Sequence, residues 1–484
     1  MKTVKTIAIA AALASVGTLA AKTPLNIYRG EQDTVYKAKH IVVATTAPGN
    51  KATINGQDAH VYKTGAFGAQ VNLAKGNNTI TVTATNGKKT AKKTFNVFLA
   101  DNPTPKQPEA EPEYTPFDQP RYITTRDGAY LQYGNGGDRL GGSKMGYIDS
   151  DITLKAVGQI GKLYKIKLSD NRWAYMPLSY TNPSDKSTKH VNTGSWSISN
   201  TGHTDRVSIS LPCRLPYRSW AQLDPTTICV EIFGAMNNSN WITTRGQLGI
   251  IDYIDCQQTD SDVLKVIIKL RDKYSWGYAV KYIGNSLTID VKHTPSLDLK
   301  DMTIGLDAGH GGENPGAKSA TGLTEKDINL DITHRIADLL RQRGAKIVFS
   351  REGDTGPSMS ERRKIFAEAN IDLLISTHNN SGGSPLTTMG TSTYYKHVTD
   401  RALAQCMLNR LLELDLKNFG LTGNFNFSLN SPTEYPNVLL EVLFMSSLPE
   451  EEKLADPEFR QQVAEKAVKG IEDYLKLVKQ SKKK

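Results

Sequence analysis

The sequence predicts a multidomain protein in which three small all-β modules precede an α/β domain with a mainly parallel sheet flanked by helices. The chain has 484 residues, more than a single hydrophobic core usually serves. Short alternating segments, separated by turn pairs such as Asn55-Gly56, continue to about residue 297. From residue 301 onward, apolar strands alternate with segments of helical periodicity, and this alternation favours a parallel sheet.

The first 21 residues have the pattern of a secretory signal peptide. A basic start precedes an apolar run from Ile7 to Ala21, and this run is shorter than the roughly 20 residues that cross a bilayer as a helix. An uncleaved membrane anchor is the alternative. No cysteine precedes Cys213, so the boundary lacks a thiol for lipid attachment. We therefore expect a protein that does not span the membrane and is secreted across the inner membrane into the periplasm or cell wall.

The net charge indicates which kind of partner the protein binds, and the positions of the cysteines limit the possible disulfides. The formal net charge of +10 suits an anionic surface, and the sequence lacks the interleaved aromatic and basic residues that bind single-stranded nucleic acid. A cell-wall polymer is the predicted partner, and nucleic acid is not. Cys213, Cys229 and Cys256 lie in one segment and Cys406 stands alone, so one disulfide among the first three and four free thiols both remain open.

Residues 22–100 read as a small β-sandwich. The order of the turn at Asn55-Gly56, then Gly65-Ala66-Phe67, then the segment from Val71 to Ile80 resembles bacterial immunoglobulin-like modules of exported enzymes. The resemblance implies a spacer or adhesive role. Residues 101–120 follow, and their recurrent prolines predict a semi-rigid linker.

Residues 121–182 return to short strands and resemble a bacterial SH3-like barrel through the segment from Tyr164 to Tyr180. Such barrels often bind wall peptides, so Trp173, Tyr175 and Tyr180 can form an aromatic groove; filling a very small core is the alternative.

Residues 190–297 form a third all-β stretch with alternating strands such as Val207–Leu211 and Leu287–Val291. Their position before the last domain is loosely similar to that of AMIN modules, which target wall enzymes to the envelope. The β modules are thus expected to contact wall polymer, and envelope or division proteins are further candidate partners.

The last domain, residues 301–480, shows the β-α alternation directly. Predicted strands are 302–306, 345–349, 373–377 and 438–441, and predicted helices are 324–343, 360–370, 400–414 and 457–477. Active sites of such sheets lie at the carboxyl ends of the strands.

Polar side chains with metal-binding chemistry follow those strand ends. His310 comes after the first strand, His378 after the third and Glu441 at the last, while Glu325 opens the first helix. Two imidazoles and one carboxylate are a common protein ligand set for catalytic zinc, and a further carboxylate can serve as the base. Each residue alone has a simpler interpretation: a surface histidine, or a first-turn glutamate beside the helix dipole. A purely structural interpretation is harder for Glu441, because a carboxylate among apolar residues is costly unless it has a partner.

Five sequence motifs in the last domain are similar to motifs of a known family and occur in the same order. They are Ile304-Gly-Leu-Asp-Ala-Gly-His-Gly-Gly312, Asn314-Pro-Gly-Ala317, Gly322-Leu-Thr-Glu-Lys-Asp327, Ile375-Ser-Thr-His-Asn-Asn380 and Pro436-Asn-Val-Leu-Leu-Glu441. In this order they resemble the zinc N-acetylmuramoyl-L-alanine amidases of the Amidase_3 type. The resemblance runs from residue 301 to about residue 477.

The resemblance implies one catalytic Zn²⁺ held by His310, Glu325 and His378, with Glu441 as general base and then acid. The implied reaction hydrolyses the amide bond between N-acetylmuramic acid and the L-alanine of the peptidoglycan stem peptide. Two other functions stay open: a zinc carboxypeptidase acting on wall peptides, and a wall-binding scaffold without activity.

Three positions depart from the family pattern without removing a ligand. Ala308 stands where a proline is usual, Leu443 stands in the Glu-x-Gly-Phe segment, and Asn430 stands where an arginine is usual. These departures bear on the substrate groove. The 63 residues that separate His378 from Glu441 are too few for the long helical insertion that plugs the site of regulated relatives, so we expect an open site.

Overall fold

The computed structural model describes residues 23–101, 112–136 and 144–482. The predicted signal peptide and residues 102–111, half of the predicted linker, lie outside these residues. The chain divides into two compact units, Met1–Pro103 and Thr104–Lys484.

The first unit contains two sheets around one apolar core. A three-stranded sheet has the order β1-β3-β6, and a five-stranded sheet has the order β2-β8-β7-β4-β5. Phe67, Ile80 and Val82 are fully buried between them. The strands are Leu25–Arg29 (β1), Thr34–Val35 (β2), Lys39–Thr46 (β3), Lys51–Ile54 (β4), Gln57–Ala59 (β5), Ala66–Asn72 (β6), Gly76–Thr85 (β7) and Thr90–Leu99 (β8).

The second unit begins with a seven-stranded antiparallel sheet. Its strands are Tyr114–Thr125 (β9), Tyr130–Gln132 (β10), Lys144–Tyr147 (β11), Thr153–Ile160 (β12), Leu163–Lys167 (β13), Trp173–Pro177 (β14) and Thr181–Pro183 (β15). They are ordered β11-β10-β14-β13-β12-β9-β15.

The predicted end of the linker, residue 120, is wrong because β9 already begins at Tyr114. Pro116 pairs with Gly158, while Pro120 lies where the β9–β12 register shifts between Ala156 and Gly158. A proline, which has no N–H to donate, is tolerated at such an irregularity. Pro116 and Pro120 therefore belong to a bulged strand.

The three predicted aromatic residues of this sheet differ in burial: Trp173 lies at the surface, Tyr175 is partly exposed, and Tyr180 is partly buried against the apolar core. Ala174 and Met176, the alternate residues of β14, are fully buried, whereas Trp173 is 43% exposed and carries the Lys165 ammonium 5.0 Å from its ring. Tyr180 instead packs edge-on against Tyr130.

Eleven further strands follow: Val191–Asn192 (β16), Trp196–Asn200 (β17), Thr204–Ser210 (β18), Tyr217–Gln222 (β19), Thr227–Phe233 (β20), Ala235–Met236 (β21), Ile242–Arg245 (β22), Ile251–Asp260 (β23), Val263–Leu270 (β24), Tyr278–Ile283 (β25) and Ser286–Lys292 (β26). They form a five-stranded sheet β22-β17-β18-β26-β25, a four-stranded sheet β19-β20-β24-β23 and the pair β16-β21.

One apolar cluster continues from the β9–β15 sheet into these strands. Ile166 and Met176 belong to the same buried cluster as Ile209, Ile232 and Ile289. The two stretches that the sequence predicts as separate modules, 121–182 and 190–297, thus share a core.

The last part of the second unit is an α/β layer structure. Its strands are Thr303–Ala308 (β27), Lys346–Phe349 (β28), Leu373–Asn380 (β29), Thr391–Tyr394 (β30), Asn418–Thr422 (β31) and Asn437–Phe444 (β32). Its helices are Glu325–Gln342 (α1), Met359–Glu368 (α2), Arg401–Leu412 (α3), Leu448–Ala455 (α4) and Pro457–Ser481 (α5). Short 3-10 helices occupy Leu178–Tyr180, Leu299–Asp301, Val398–Asp400 and Ser428–Asn430.

The sheet of this part is mainly parallel, in the order β28-β27-β29-β32-β30-β31, and only the β30–β32 pair is antiparallel. Helices cover both faces: α1, α3 and α5 share a buried cluster with Ile304 and Leu440, and Phe366 of α2 packs with Leu374 on the other face. The predicted α/β architecture of the last domain is therefore observed.

The four predicted helices agree with the structure to within a few residues, but helix α4 and the strands β30 and β31 were missed. Helix α1 has Thr324 as its N-cap and Arg343 as its C-cap, and α5 begins at Pro457 as predicted. Strand β30 consists mainly of small polar residues, and β31 is a short Asn-Phe-Gly-Leu-Thr segment with a glycine at its centre, so neither has a strong strand pattern. Thr391, Ser392 and Thr393 are nevertheless fully buried.

All four cysteines are free: Cys213 is exposed, Cys229 is buried, and Cys256 and Cys406 are partly buried. The disulfide alternative is thus not observed. Within the described ranges, no helix has both the length and the apolar character that a membrane crossing requires.

An aromatic contact joins the α/β part to the strands before it. Trp276, which precedes β25, is fully buried in the α/β core and stacks on Tyr474 of α5 with ring centroids 5.7 Å apart. Nearby, the Tyr278 N–H donates to the Thr433 carbonyl at 2.7 Å, and the Lys292 ammonium donates to the Ile371 carbonyl at 2.8 Å. The boundary at residue 301 is therefore a packed interface.

We expect Trp276→Ala to lower the free energy of unfolding by about 3–5 kcal/mol, because it removes a fully buried ring and leaves a cavity under Tyr474. Denaturant unfolding of the full chain measures this change. Trp241→Ala is the matched control, since that ring is 74% exposed, and its effect should stay within about 0.5 kcal/mol. Equal effects of the two substitutions would contradict the interface.

Candidate metal centre

Three of the predicted residues meet at the carboxyl edge of the parallel sheet. His310 follows β27, His378 lies near the end of β29, and Glu325 is the first residue of α1. Since β27 and β29 are neighbouring parallel strands, their carboxyl ends bring the two histidines to the same edge. The loop from β27 to α1 then places Glu325 between them.

The Glu325 carboxylate bridges the two imidazoles. His310 Nε2 lies 3.1 Å from Glu325 Oε2, and His378 Nδ1 lies 3.1 Å from Glu325 Oε1. The two rings are edge-on, with centroids 5.1 Å apart. One donor atom from each residue lies within 4.8 Å of the others.

Backbone and amide donors fix the Glu325 carboxylate further. Oε2 accepts from the Ala317 N–H at 2.9 Å, and Oε1 accepts from the Asn379 N–H at 3.1 Å and from the Asn329 side chain at 3.3 Å. Burial alone would raise the pKa of Glu325, but hydrogen bonds from His310 and His378 outweigh it and hold that pKa well below its usual range. Glu325 is therefore an oriented, ionised carboxylate.

Glu441 lies on the next strand of the sheet, beside His378. The two residues are register partners in the parallel pair β29–β32, and Glu441 is 8% exposed. Burial lowers the pKa of His378, yet the nearby Glu325, Glu441 and Asp307 carboxylates raise it above its ordinary value. The structure thus brings the fourth predicted residue to the same edge.

Two glycines allow this close approach. A Cβ on Gly309 would lie 2.3 Å from the His378 ring, and a Cβ on Gly316, which has φ +65°, would lie 2.5 Å from Glu325 Oε2. His310 itself adopts φ +63°, a conformation that side chains with a Cβ rarely take. The backbone around His310 therefore needs support from its surroundings.

Buried arginines supply that support. The Arg362 guanidinium is 1% exposed, pairs with Asp307 at 2.6 Å, and donates to the carbonyls of Ala308 and His310 at 2.8 and 2.6 Å. Arg351 donates to the carbonyls of Ala308 and Gly309 at 2.9 and 3.0 Å. Every carbonyl from residue 308 to residue 310 thus accepts from a fixed cation.

Asp307 is the counter-charge of this arrangement. Its other oxygen accepts from the Ser376 hydroxyl at 2.6 Å. Burial alone would raise the pKa of Asp307, but the Arg362 guanidinium, helped by His378, holds it below the ordinary value. The ion pair is completely desolvated and fully hydrogen-bonded, which is the condition under which a buried pair is tolerated.

The donor set suits zinc. Two imidazole nitrogens and one carboxylate oxygen form a frequent catalytic zinc set, with metal–ligand distances of about 2.0–2.2 Å. Ligand atoms around such an ion lie about 3.3 Å apart; in the structure each imidazole nitrogen lies 3.1 Å from a different oxygen of Glu325, and one donor atom from each residue lies within 4.8 Å of the others. The residues present therefore fit the ion.

Solvent reaches the centre, as the short gap between His378 and Glu441 predicts. The His310 and His378 side chains are 25% and 19% exposed. Helix α3, which lies within that gap, packs against α5 and β30.

The three residues that depart from the family pattern, Ala308, Asn430 and Leu443, are all buried. Asn430 is 1% exposed and donates to the Tyr394 carbonyl and the Asn437 side chain. The Ala308 side chain is fully buried and its carbonyl accepts from both arginines.

Sequence reasoning missed the supporting residues Asp307, Arg351 and Arg362. Asp307 had a detectable signal, because a carboxylate inside the apolar strand Thr303–Ala308 requires a partner. Its partner comes from a different element 55 residues away, and no spacing rule identifies it.

Comparison with known proteins gives one family. The profile of the Amidase_3 family, described as N-acetylmuramoyl-L-alanine amidase, matches residues 304–473. An uncharacterized Bacillus subtilis protein, YqiI, is 33% identical over 196 residues, which are 40% of this chain and 93% of that protein.

Two further proteins carry the same name as the family. The N-acetylmuramoyl-L-alanine amidase LytC of Bacillus subtilis is 30% identical over 200 residues, which are 40% of each chain. The solved catalytic domain of CwlV, an N-acetylmuramoyl-L-alanine amidase from Bacillus (Paenibacillus) polymyxa var. colistinus, is 31% identical, with coverage of 36% of this chain and 98% of that one and a TM-score of 0.35.

We expect Arg362→Met to lower the free energy of unfolding by about 3–5 kcal/mol, because it leaves the buried Asp307 carboxylate without its counter-charge. Urea unfolding measures the loss. Arg363→Met is the neighbouring control: this guanidinium lies over the Tyr147 ring at 4.7 Å in a partly exposed position, and its removal should cost about 1 kcal/mol or less. A loss at residue 362 no larger than the loss at residue 363 would show that the ion pair does not hold the His310 turn.

Proposed function

The chain belongs to the N-acetylmuramoyl-L-alanine amidase family and is a peptidoglycan hydrolase, and on this premise we propose how its own residues perform the reaction. His310, Glu325 and His378 hold one catalytic zinc ion, and Glu441 moves the proton. The observation that carries this proposal is the convergence of two imidazole nitrogens on one oriented carboxylate beside Glu441.

The ion would supply Lewis-acid chemistry: bound zinc polarises a carbonyl oxygen and lowers the pKa of a water molecule. The three side chains contribute a fixed geometry. Glu325 is held by Ala317 and Asn379 N–H donors in addition to the histidines, so little reorganisation is needed when the site loads.

Glu441 acts as the proton carrier. Its place beside His378 puts a carboxylate next to the three residues that would hold the ion, and the proposal does not need it as a ligand. Glu441 accepts the proton of the attacking water and then donates it to the nitrogen of the leaving L-alanine, so that the amide C–N bond breaks and a free amine departs. The carbonyl carbon remains on the lactyl group of N-acetylmuramic acid as a carboxylate.

The amidase reaction is favoured over a carboxypeptidase reaction by the family match, which covers residues 304–473 and hence all four residues. A scaffold without activity is disfavoured because the chain retains the complete set, including the proton carrier. The two rival functions predict different products, which the experiment below separates.

The proposed place of action is the periplasm or cell wall, after secretion across the inner membrane. The apolar run from Ile7 to Ala21 supports export, and the excess of basic over acidic residues suits an anionic polymer. The β modules are proposed to bring the enzyme to the wall or to envelope partners.

We expect Glu441→Gln to reduce the rate of peptidoglycan digestion by about 100- to 10,000-fold, because an amide cannot accept and return the proton. Mass spectrometry of digests of purified peptidoglycan measures release of peptides that begin with L-alanine. Glu368→Gln is the control, since this carboxylate is 68% exposed on α2, and it should leave the rate unchanged.

The products decide between the three functions. Peptides with a free L-alanine amine support the amidase. Release of single C-terminal residues would show a carboxypeptidase, and the absence of any release from both intact wall and soluble muropeptides would show a binding protein.

We expect the purified chain to bind zinc at one ion per chain and His378→Ala to lose it, because two remaining protein ligands do not hold a catalytic ion. Metal analysis after dialysis measures the content. His334→Ala is the matched control: its partly exposed ring contacts the Glu352 carbonyl and the Phe349 ring and is not one of the three candidate ligands, and zinc content should persist. Full zinc content in His378→Ala would refute the assignment of this ligand.

A further inference from the structure

A cleft away from the metal centre lies between the β9–β15 sheet and the strands that follow it. Its volume is about 910 Å³, within the range typical of small-molecule and peptide sites. Its lining includes residues of strand β12, the end of β13, residues 185–191 and residues 212–216. All of its lining residues precede residue 286, so it is separate from the group of His310, Glu325 and His378.

The floor of the cleft contains two buried polar atoms that lack a hydrogen-bond partner among the described residues. These atoms are Asp262 Oδ1 and Ser169 Oγ, in side chains whose residues are 1% and 3% exposed. The other Asp262 oxygen accepts from the Asp170 N–H at 3.1 Å and lies 3.5 Å from His190 Nε2. A buried carboxylate oxygen without a donor is unfavourable, so this floor favours a ligand that brings an N–H or ammonium group.

The wall of the cleft carries both lysines and acids. Lys155 and Lys167 are directly opposite each other on β12 and β13, and both line the cleft. Like charges in this position repel each other; Asp170 offsets part of this repulsion, and a second anionic group beside Lys155 would offset the rest. Asp170 connects the wall to the floor: its carboxylate pairs with Lys167 at 2.8 Å while its N–H donates to Asp262. The cation pair and the buried carboxylate are therefore adjacent.

We propose that this cleft binds a short peptide through its free amino group and its carboxylates. The ammonium group occupies the floor against Asp262 and Ser169, and a carboxylate lies between Lys155 and Lys167. A ligand that carries an ammonium group and a carboxylate meets both requirements, whereas an uncharged sugar chain supplies neither charge.

The proposed amidase reaction releases a peptide with a free amino group and carboxylates. Our identification of this product as the ligand of the cleft rests on that proposed function. Before cleavage the L-alanine nitrogen is an uncharged amide; after cleavage it is an ammonium group on a peptide that carries carboxylates. The cleft is thus a site for the reaction product, and it discriminates the cleaved peptide from the intact wall by one charge.

The test measures binding of the dipeptide L-alanyl-γ-D-glutamic acid and of its N-acetylated form to the full chain by calorimetry. The chain carries Glu441→Gln and is freed of metal, so that neither turnover nor the metal centre contributes. We expect the free dipeptide to bind at least tenfold more tightly than the acetylated one, because acetylation removes the ammonium charge.

Two substitutions localise the binding. Asp262→Asn keeps the size of the side chain and an acceptor for the Asp170 N–H but removes the charge, and it should weaken dipeptide binding at least tenfold; Lys155→Gln should also weaken it. Asp260→Asn is the control, since Asp260 lies two residues away, interacts with Arg172 and Asn171 and does not line the cleft. It should leave the affinity unchanged.

The outcomes separate this proposal from the proposed function. Equal binding of the two dipeptides, equal binding by Asp262→Asn and the parent chain, or no binding at all would each overturn the cleft as a product site, whatever the digestion of peptidoglycan shows. If Asp262→Asn fails to fold, the comparison of the two dipeptides on the parent chain and the Lys155→Gln result decide. If the chain binds the dipeptide but digests no peptidoglycan, the cleft is a peptide site, and only the proposal that the chain's own reaction produces the peptide is rejected.

Discussion

The ion pair of Asp307 and Arg362 is the interaction on which the metal centre depends. It forms in the sheet just below the centre, and Arg362 extends from it to the carbonyl of His310, whose positive φ is otherwise unfavourable. Asp307 reaches Ser376, two residues before His378, through its second oxygen. One buried contact therefore fixes the two strand ends that carry the histidines.

The elements with strong periodicity were predictable from the sequence, and those without it were not. Helix α1 and strand β29 show clear apolar patterns, and both match the prediction closely. Strand β30 was missed because its threonines and serine read as a loop, although burial between α3 and β32 places it in the sheet. Its polar groups are accommodated by contacts such as the Thr393 hydroxyl to the Ala404 carbonyl, which no local pattern encodes.

The candidate site likewise contains residues that the sequence could predict and residues that it could not. His310, Glu325, His378 and Glu441 were predictable because strand ends and metal chemistry restrict where such residues are useful. The supporting cations and the cleft around Asp262 were not, because they depend on contacts between elements far apart in the chain. The stretches 121–182 and 190–297 show most clearly what a sequence pattern cannot predict. Each has its own strand pattern, yet one apolar cluster contains residues of both.

That shared packing has a consequence for how the second unit works. The strands that line the cleft share a buried cluster with β25 and β26, and Trp276, just before β25, is buried in the α/β core against Tyr474. No flexible linker separates these parts, since Tyr278 and Lys292 also hydrogen-bond across the boundary. The separation of the cleft from the metal centre is therefore set by packing. A peptide bound in the cleft leaves the metal centre free to bind another strand of the wall. The packing of the second unit then fixes the distance between the cleft and the metal centre.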